Sequence, residues 1–249
     1  MHRFYLPPEA THGDSLRLDE REAHHALHVL RLKRGELVKV LDGVGNELLC
    51  AVESGSRKAV TLSVSLKNFT PPPTCSVTLL QAVPRGKIIE SIIQKAVELG
   101  ARRIVPLLTE HVVTRLDEAG ADDKREKWQQ VAIEAIKQCG AAWLPKIEAP
   151  VTLAQFLAQK EKFDLSLVGS LQTERRHPRE CFREFQTQHK HPHRSVGVWI
   201  GPEGDFTLDE LKAIAAAGAL PISLGRLVLR VETAAIYCLS ILKYEVNSH

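Results

Sequence analysis

The sequence has no pair of cysteines spaced closely enough for a zinc knuckle or a redox dithiol. Its five cysteines, Cys50, Cys75, Cys139, Cys181 and Cys238, are scattered and odd in number, which fits a reducing compartment. No apolar run reaches the length of a membrane span, and Met1-His2-Arg3-Phe4-Tyr5 lacks the apolar core of a signal peptide. A cytoplasmic protein with no membrane partner is expected. The absence of a G-x-x-x-x-G-K-[ST] loop argues against an ATPase or GTPase, and the absence of a G-x-S-x-G elbow against a serine hydrolase. Neither sign of charge is in large excess. With 33 Lys and Arg against 30 Asp and Glu, the net charge of +3 identifies no partner. Internal repeats and low-complexity tracts are also missing.

What remains is an ordinary globular composition of 44% hydrophobic and 25% charged residues. Its 249 residues suffice for one large domain or two modest ones. The small positive excess is local. Residues 172–194 carry six Lys and Arg against three Asp and Glu, together with His177, His189, His191 and His193. This stretch reads as a solvated helix and loop, although a basic surface of this kind could meet phosphate.

The clearest boundary is Thr70-Pro71-Pro72-Pro73-Thr74. Successive prolines cannot donate to a ladder or sit inside a helix, so residues 71–75 form a stiff connector. Before it, 36–41, 47–53 and 59–67 read as strands joined by glycine-bearing turns, with one helix over 20–32. The first 70 residues therefore suggest a small β-barrel. After it, apolar strands at 76–83, 103–108, 164–168, 195–200 and 220–224 alternate with helices. The helices span about 87–99, 123–138, 152–159, 178–186, 207–217 and 231–246. That rhythm predicts an α/β domain over 76–249, with a parallel sheet covered on both faces. Gly100 reads as a helix C-cap and Thr207-Leu208-Asp209-Glu210 as a capping box.

Three tempting motifs fail on context. Val40-Leu41-Asp42-Gly43-Val44-Gly45 resembles a nucleotide-binding glycine loop, but a strand follows it where a helix should, so Asp42-Gly43 is a hairpin turn. His24 and His28 lie one helical turn apart without a clear third ligand, and read as part of a polar surface. His189-Lys190-His191-Pro192-His193 lies in an expected loop, where metal binding would be adventitious.

Two late segments carry the chemistry. Val198-Trp199-Ile200-Gly201-Pro202-Glu203-Gly204-Asp205-Phe206 is an apolar strand ending in a turn whose glycines let a ligand approach the backbone. Ile222-Ser223-Leu224-Gly225-Arg226-Leu227-Val228-Leu229-Arg230-Val231-Glu232-Thr233-Ala234-Ala235 is too apolar for an ordinary surface loop and could wall a pocket for a flat group such as adenine. Plainer readings exist: the first can be a simple strand-to-helix connection, and Glu232 can serve the helix dipole.

With these segments the chain resembles the bacterial 16S rRNA (uracil-N3)-methyltransferase family of the SPOUT superfamily. The resemblance rests on Arg3-Phe4-Tyr5, His28-Val29-Leu30-Arg31 with Gly35, Gln94-Lys95-Ala96-Val97-Glu98-Leu99-Gly100, Ile200-Gly201-Pro202-Glu203-Gly204 and Leu229-Arg230-Val231-Glu232-Thr233-Ala234. It implies a PUA-like RNA-binding barrel followed by a SPOUT domain with a trefoil knot. It also implies a homodimer whose substrate is uridine 1498 of 16S rRNA within the 30S subunit. S-adenosylmethionine would be the methyl donor, with no metal. It would be held by Gly169 and Ser170, by Ile200, Gly201, Glu203 and Gly204, and by Leu224, Gly225, Leu229, Arg230 and Thr233. Arg230 would steady negative charge on the uracil, while Glu232 or Glu203 accepts the N3 proton or Glu232 orients Arg230. Arg3, His28 and Arg31 would contact the RNA. The chain departs from the family pattern at Ala141, where many members have arginine, at Asp205, in place of a common glycine, and at Arg226-Leu227, in place of a common Pro-Arg. Rival readings are a knotted methyltransferase acting on tRNA or a ribose 2′-hydroxyl, and a non-catalytic RNA-binding assembly factor.

Overall fold

The computed structural model describes residues 1–56, 59–112, 118–171, 175–189 and 192–247. The chain divides into two compact units, Met1–Pro72 with Ile133–Leu144 and Pro73–Ala132 with Pro145–His249.

The first unit is built on a five-stranded sheet of β1 (Arg3–Tyr5), β2 (Ser15–Leu18), β3 (Leu37–Leu41), β4 (Asn46–Ser56) and β5 (Ala59–Phe69), in the order β1-β3-β4-β5-β2. β1 pairs with β3 in parallel and the other pairs are antiparallel. Alternation puts Val38 and Val40, Leu48, Cys50 and Val52, and Val60 and Leu62 into one core with Phe4, Leu16 and Leu18. Register shifts at Leu49/Cys50 and Val52/Ser54 bend the long β4–β5 hairpin. The β3–β4 connection is the expected hairpin turn. Asp42 is buried there, and its Oδ1 accepts from the Val44 and Asn46 N–H groups, both at 2.9 Å.

The helix expected over 20–32 differs. α1 (Glu20–His24) passes into a π-helical turn over His25–Val29, in which the Leu30 N–H bonds to the His25 carbonyl. The wider turn keeps Ala23 and Ala26 in the core and packs Leu27 and Leu30 against it. It leaves the His24 and His28 rings 4.8 Å apart on the surface, and Arg31 follows at φ +54°. Such widened turns disturb the i to i−4 ladder and mark a local constraint.

The second unit is an α/β layer structure. Its strands are β6 (Ser76–Ala82), β7 (Arg103–Leu108), β8 (Lys146–Ile147), β9 (Val151–Thr152), β10 (Leu165–Gly169), β11 (Ser195–Ile200) and β12 (Leu220–Ile222). All their pairings are parallel, in the order β12-β10-β11-β6-β7-β8, with β9 also on β7. The helices are α2 (Ile88–Glu98), α3 (Glu118–Cys139), α4 (Leu153–Ala158), α5 (Pro178–Gln188), α6 (Leu208–Ala216) and α7 (Val231–Asn247). Adjacent residues of β6, Leu79 and Leu80, are both fully buried, so both sheet faces are covered, as a parallel sheet requires. On one face Phe156 of α4 and Ile214 of α6 pack with Leu80, Val105, Val168 and Trp199. α2 pairs with α7, which also runs against β6 and β11. Thr152 and Thr207 open α4 and α6 with full capping boxes to Gln155 and Glu210.

The last turns of α3 and the residues after it belong to the first unit. Lys137 Nζ lies 2.7 Å from Glu22 Oε1, with the two side chains only 7% and 10% exposed. Arg3 Nη1 donates to the helix-end carbonyls of Lys137 at 3.4 Å and Gln138 at 3.1 Å. Gly140 follows at φ +83°, and a Cβ there would meet the Arg3 guanidinium at 2.9–3.0 Å. Trp143 Nε1 donates to the Thr70 carbonyl at 3.0 Å.

Candidate active site

The neighbouring strands β12, β10 and β11 end on the same side of the sheet, and three turns extend from their carboxyl ends. This is where open α/β sheets hold ligands. The turn after β10 holds Gly169, Ser170 and Leu171. The Ser170 N–H bonds the Ile222 carbonyl of β12 at 3.2 Å, and Arg175 Nη1 donates back to the Ser170 carbonyl at 3.2 Å. Arg176 then pairs with β12 in parallel, through Arg176 N–H to Pro221 O and Ser223 N–H to Arg176 O. The turn after β11 spans Gly201 to Phe206 and is pinned by the Arg85 N–H, which donates to Glu203 Oε1 at 3.0 Å. The turn after β12 runs from Ser223 into α7, whose first helical bond joins the Ala234 N–H to the Arg230 carbonyl at 2.9 Å.

Between the turns lies a cleft of about 430 Å³, within the usual range for small-molecule sites. Ile88, Ile200, Leu224, Leu229 and Val231 supply apolar wall, and Arg175, Arg230, Glu203, Asp205 and Glu232 supply charge of both signs. Gly201 is needed for its size: a Cβ there would stand 2.9 Å from Asp205 Oδ1 and 3.1 Å from the Phe206 nitrogen. Among the described residues, the side chains of Arg230 and Glu232 make no hydrogen bond, so no ion pair joins them and both remain available to a ligand.

Of the residues expected at a cofactor site, Gly169, Ser170, Ile200, Gly201, Glu203, Leu224, Gly225, Leu229 and Arg230 line this cleft, and so does Glu232. Gly204 and Thr233 do not. Gly204 instead packs beside His111, whose Nδ1 would lie 3.2 Å from a Cβ at that position. Sequence reasoning passed over Ile88, Leu171 and Arg175, and treated Asp205 only as a departure from pattern. Arg175 was visible only as one cation of a basic stretch, and Ile88 carried no signal beyond its place at a helix start.

The residues expected to touch RNA lie on the first unit. His28 and Arg31 are exposed beside the π-helical turn, whereas the Arg3 guanidinium is engaged with the end of α3. His189 and His193 stack on Phe185 at ring separations of 4.1 and 4.0 Å, while Lys190 and His191 lie outside the described residues. Among the described residues, no three His, Cys, Asp or Glu side chains gather as a metal site.

Comparison with known proteins agrees with this layout. Residues 70–243 match the RNA methyltransferase domain family, and residues 18–65 match the RNA methyltransferase PUA domain family. A ribosomal RNA small subunit methyltransferase E from Synechocystis is 33% identical over 94% of this chain and 74% of its own length. The chain belongs to the ribosomal RNA small subunit methyltransferase E family. The family member from Bacillus subtilis is 28% identical over 91% of this chain and 88% of its own length. Among solved structures, a methyltransferase from Legionella pneumophila in complex with S-adenosylmethionine superposes with a TM-score of 0.86. It is 31% identical, and the match covers 97% of this chain and 96% of that one. The family member from Neisseria gonorrhoeae, also bound to S-adenosyl methionine, has a TM-score of 0.84 and 25% identity over 98% and 97% of the two chains. Membership makes the chain an RNA methyltransferase with a PUA unit ahead of its α/β unit.

Proposed function

We propose that the chain moves the methyl group of S-adenosylmethionine to N3 of a uridine in 16S rRNA, the family's uridine 1498, within the small ribosomal subunit. The observation that carries this reading is the cleft at the carboxyl ends of β10, β11 and β12, in a chain that aligns over nearly its full length with relatives bound to that donor. The cleft suits the donor's chemistry. Its apolar walls fit an adenine ring, and its mixed charges answer an amino-acid tail.

The donor supplies an electrophilic methyl group on a positively charged sulfur. The protein has three tasks around it. It must hold the donor in line with the base, which supplies much of the acceleration. It must exclude water, so that the charge neutralised in the step is not held apart by solvent. It must also manage the N3 proton, since N3 is a poor nucleophile until that proton leaves. Arg230 is suited to the negative charge spread over the uracil carbonyls. Glu232 is the better-placed proton acceptor, because one Glu203 oxygen is already taken by the Arg85 N–H. The base must be unpaired or flipped, as N3 lies on its pairing edge. We assign RNA docking to the first unit through His28 and Arg31, and infer a homodimeric cytoplasmic enzyme whose sheet connections thread a trefoil knot.

The test is direct. Protein, methyl-labelled donor and small subunits lacking the modification should yield a single 3-methyluridine in digested 16S rRNA, read by mass spectrometry. Label found in tRNA or on a ribose hydroxyl would replace the proposed target. Failure to bind the donor at all would leave a non-catalytic RNA-binding protein.

A further inference from the structure

Asp205 is one of the few described residues other than glycine with a positive φ, at +60°. This left-handed region suits glycine, and aspartate enters it when its short side chain bonds locally. Here Oδ1 accepts from the Phe206 N–H at 2.8 Å. The second oxygen reaches further: Oδ2 accepts from the Leu171 N–H at 3.3 Å, in the turn after β10. The Asp205 N–H bonds to the Pro202 carbonyl at 3.0 Å, and its own carbonyl meets His111 Nδ1 at 2.9 Å. One carboxylate thus ties together two turns that both line the cleft, and it packs against Gly201, the position with no room for a side chain.

We propose that Asp205 is a positioning residue for the methyl donor. It acts as a strap that holds the turn after β10 against the turn after β11, so that the cleft is formed before the donor arrives. The inference rests on the donor reading given above. Its energetic logic is that of a population: a site competent for only a fraction of the time binds more weakly by that fraction.

Two substitutions separate the parts of the strap. Asp205→Asn keeps an oxygen for the Phe206 N–H and tolerates the positive φ, but it cannot offer a second acceptor to Leu171. Asp205→Gly suits the backbone and removes both bonds. The expected result is that either variant leaves the closed arrangement about one-tenth populated, raising Kd for S-adenosylmethionine and S-adenosylhomocysteine alike by about tenfold. In turnover, KM for the donor should rise in step while kcat at saturating donor changes less than about twofold. Hydrogen exchange supplies a readout that needs no ligand. The Leu171 amide should exchange faster in Asp205→Asn while the Phe206 amide keeps its protection.

Unchanged Leu171 exchange overturns the strap, as does an unchanged Kd. A loss confined to the sulfonium donor, sparing the thioether, also overturns it, because it would make Asp205 a charge selector. A wild-type protein that binds neither nucleoside overturns the donor reading instead, and the exchange result still stands by itself.

Discussion

At the scale of single residues, the cleft separates side chains that are free to act from those already employed. The Arg230 side chain makes no hydrogen bond among the described residues and lines the cleft, so its loss should be felt in the chemical step. Arg230→Ala is expected to keep donor affinity, by titration calorimetry, and to lower methyl transfer by about 10²–10³-fold. Near-normal turnover would remove it from the mechanism. Cys238 shows the opposite condition. Burial pushes its thiol up to about 12 from 9.0. The folded protein therefore keeps a proton that the unfolded chain releases above pH 9. The stability tied to this group is complete below pH 9 and is lost as pH rises towards about 12. Thermal melts should fall less steeply over that alkaline window in Cys238→Ala, which at neutral pH gives up about 1 kcal/mol for the lost sulfur.

At the scale of elements, the end of α3 is the joint that matters most for the first unit. Lys137 and Glu22 form a buried pair. Removing Lys137 strands the Glu22 carboxylate away from water, whereas removing Glu22 leaves Lys137 its contact with Glu134 at 3.1 Å. Lys137→Met alone should cost about 3–5 kcal/mol by denaturant unfolding, Glu22→Leu less because Glu134 still pairs with Lys137, and the double variant should recover most of the Lys137→Met loss. If the singles prove as stable as wild type, the pair is solvated in solution.

Elements were legible in the sequence where a local cause fixes them. β7 and β11 span the expected 103–108 and 195–200 around their apolar runs, and α4 and α6 start at threonine caps with Gln155 or Glu210 three residues on. β1 and β2, of three and four residues, were invisible because so short a stretch has no period to read. The π-helical turn was hidden for another reason. Its cause is the packing of Ala26, Leu27 and Leu30 on strands distant in sequence, which a helical pattern cannot express. At the site, the glycine-bearing turn after an apolar strand pointed to Gly201, and the unusually apolar loop to Leu224, Gly225 and Leu229, because both leave a composition signature, whereas Gly169 came only from the family resemblance. Arg175 and Leu171 left none, since their position depends on how β12 pairs beside β10.

At the scale of the whole molecule, the first unit is discontinuous in sequence. Cutting the chain after the prolines would leave Ile133–Leu144 without the strands they pack on, including buried Ile133 and Ile136, and would strip Lys137 of Glu22. A fragment of residues 73–249 should melt well below the intact protein and expose Trp143 to quencher, as fluorescence would report. Equal melting temperatures would mean that these twelve residues fold without their neighbours.

That discontinuity also bears on synthesis. The polypeptide leaves the ribosome from its N-terminus, and the segment bearing Lys137 emerges only well after Pro72. At elongation rates of about 5–20 residues per second, the early strands must wait on the order of several seconds for the piece that completes them. Throughout that wait Glu22 has no cation to answer it, so a nascent protein of this kind is most exposed to misassembly before its long helix has been translated.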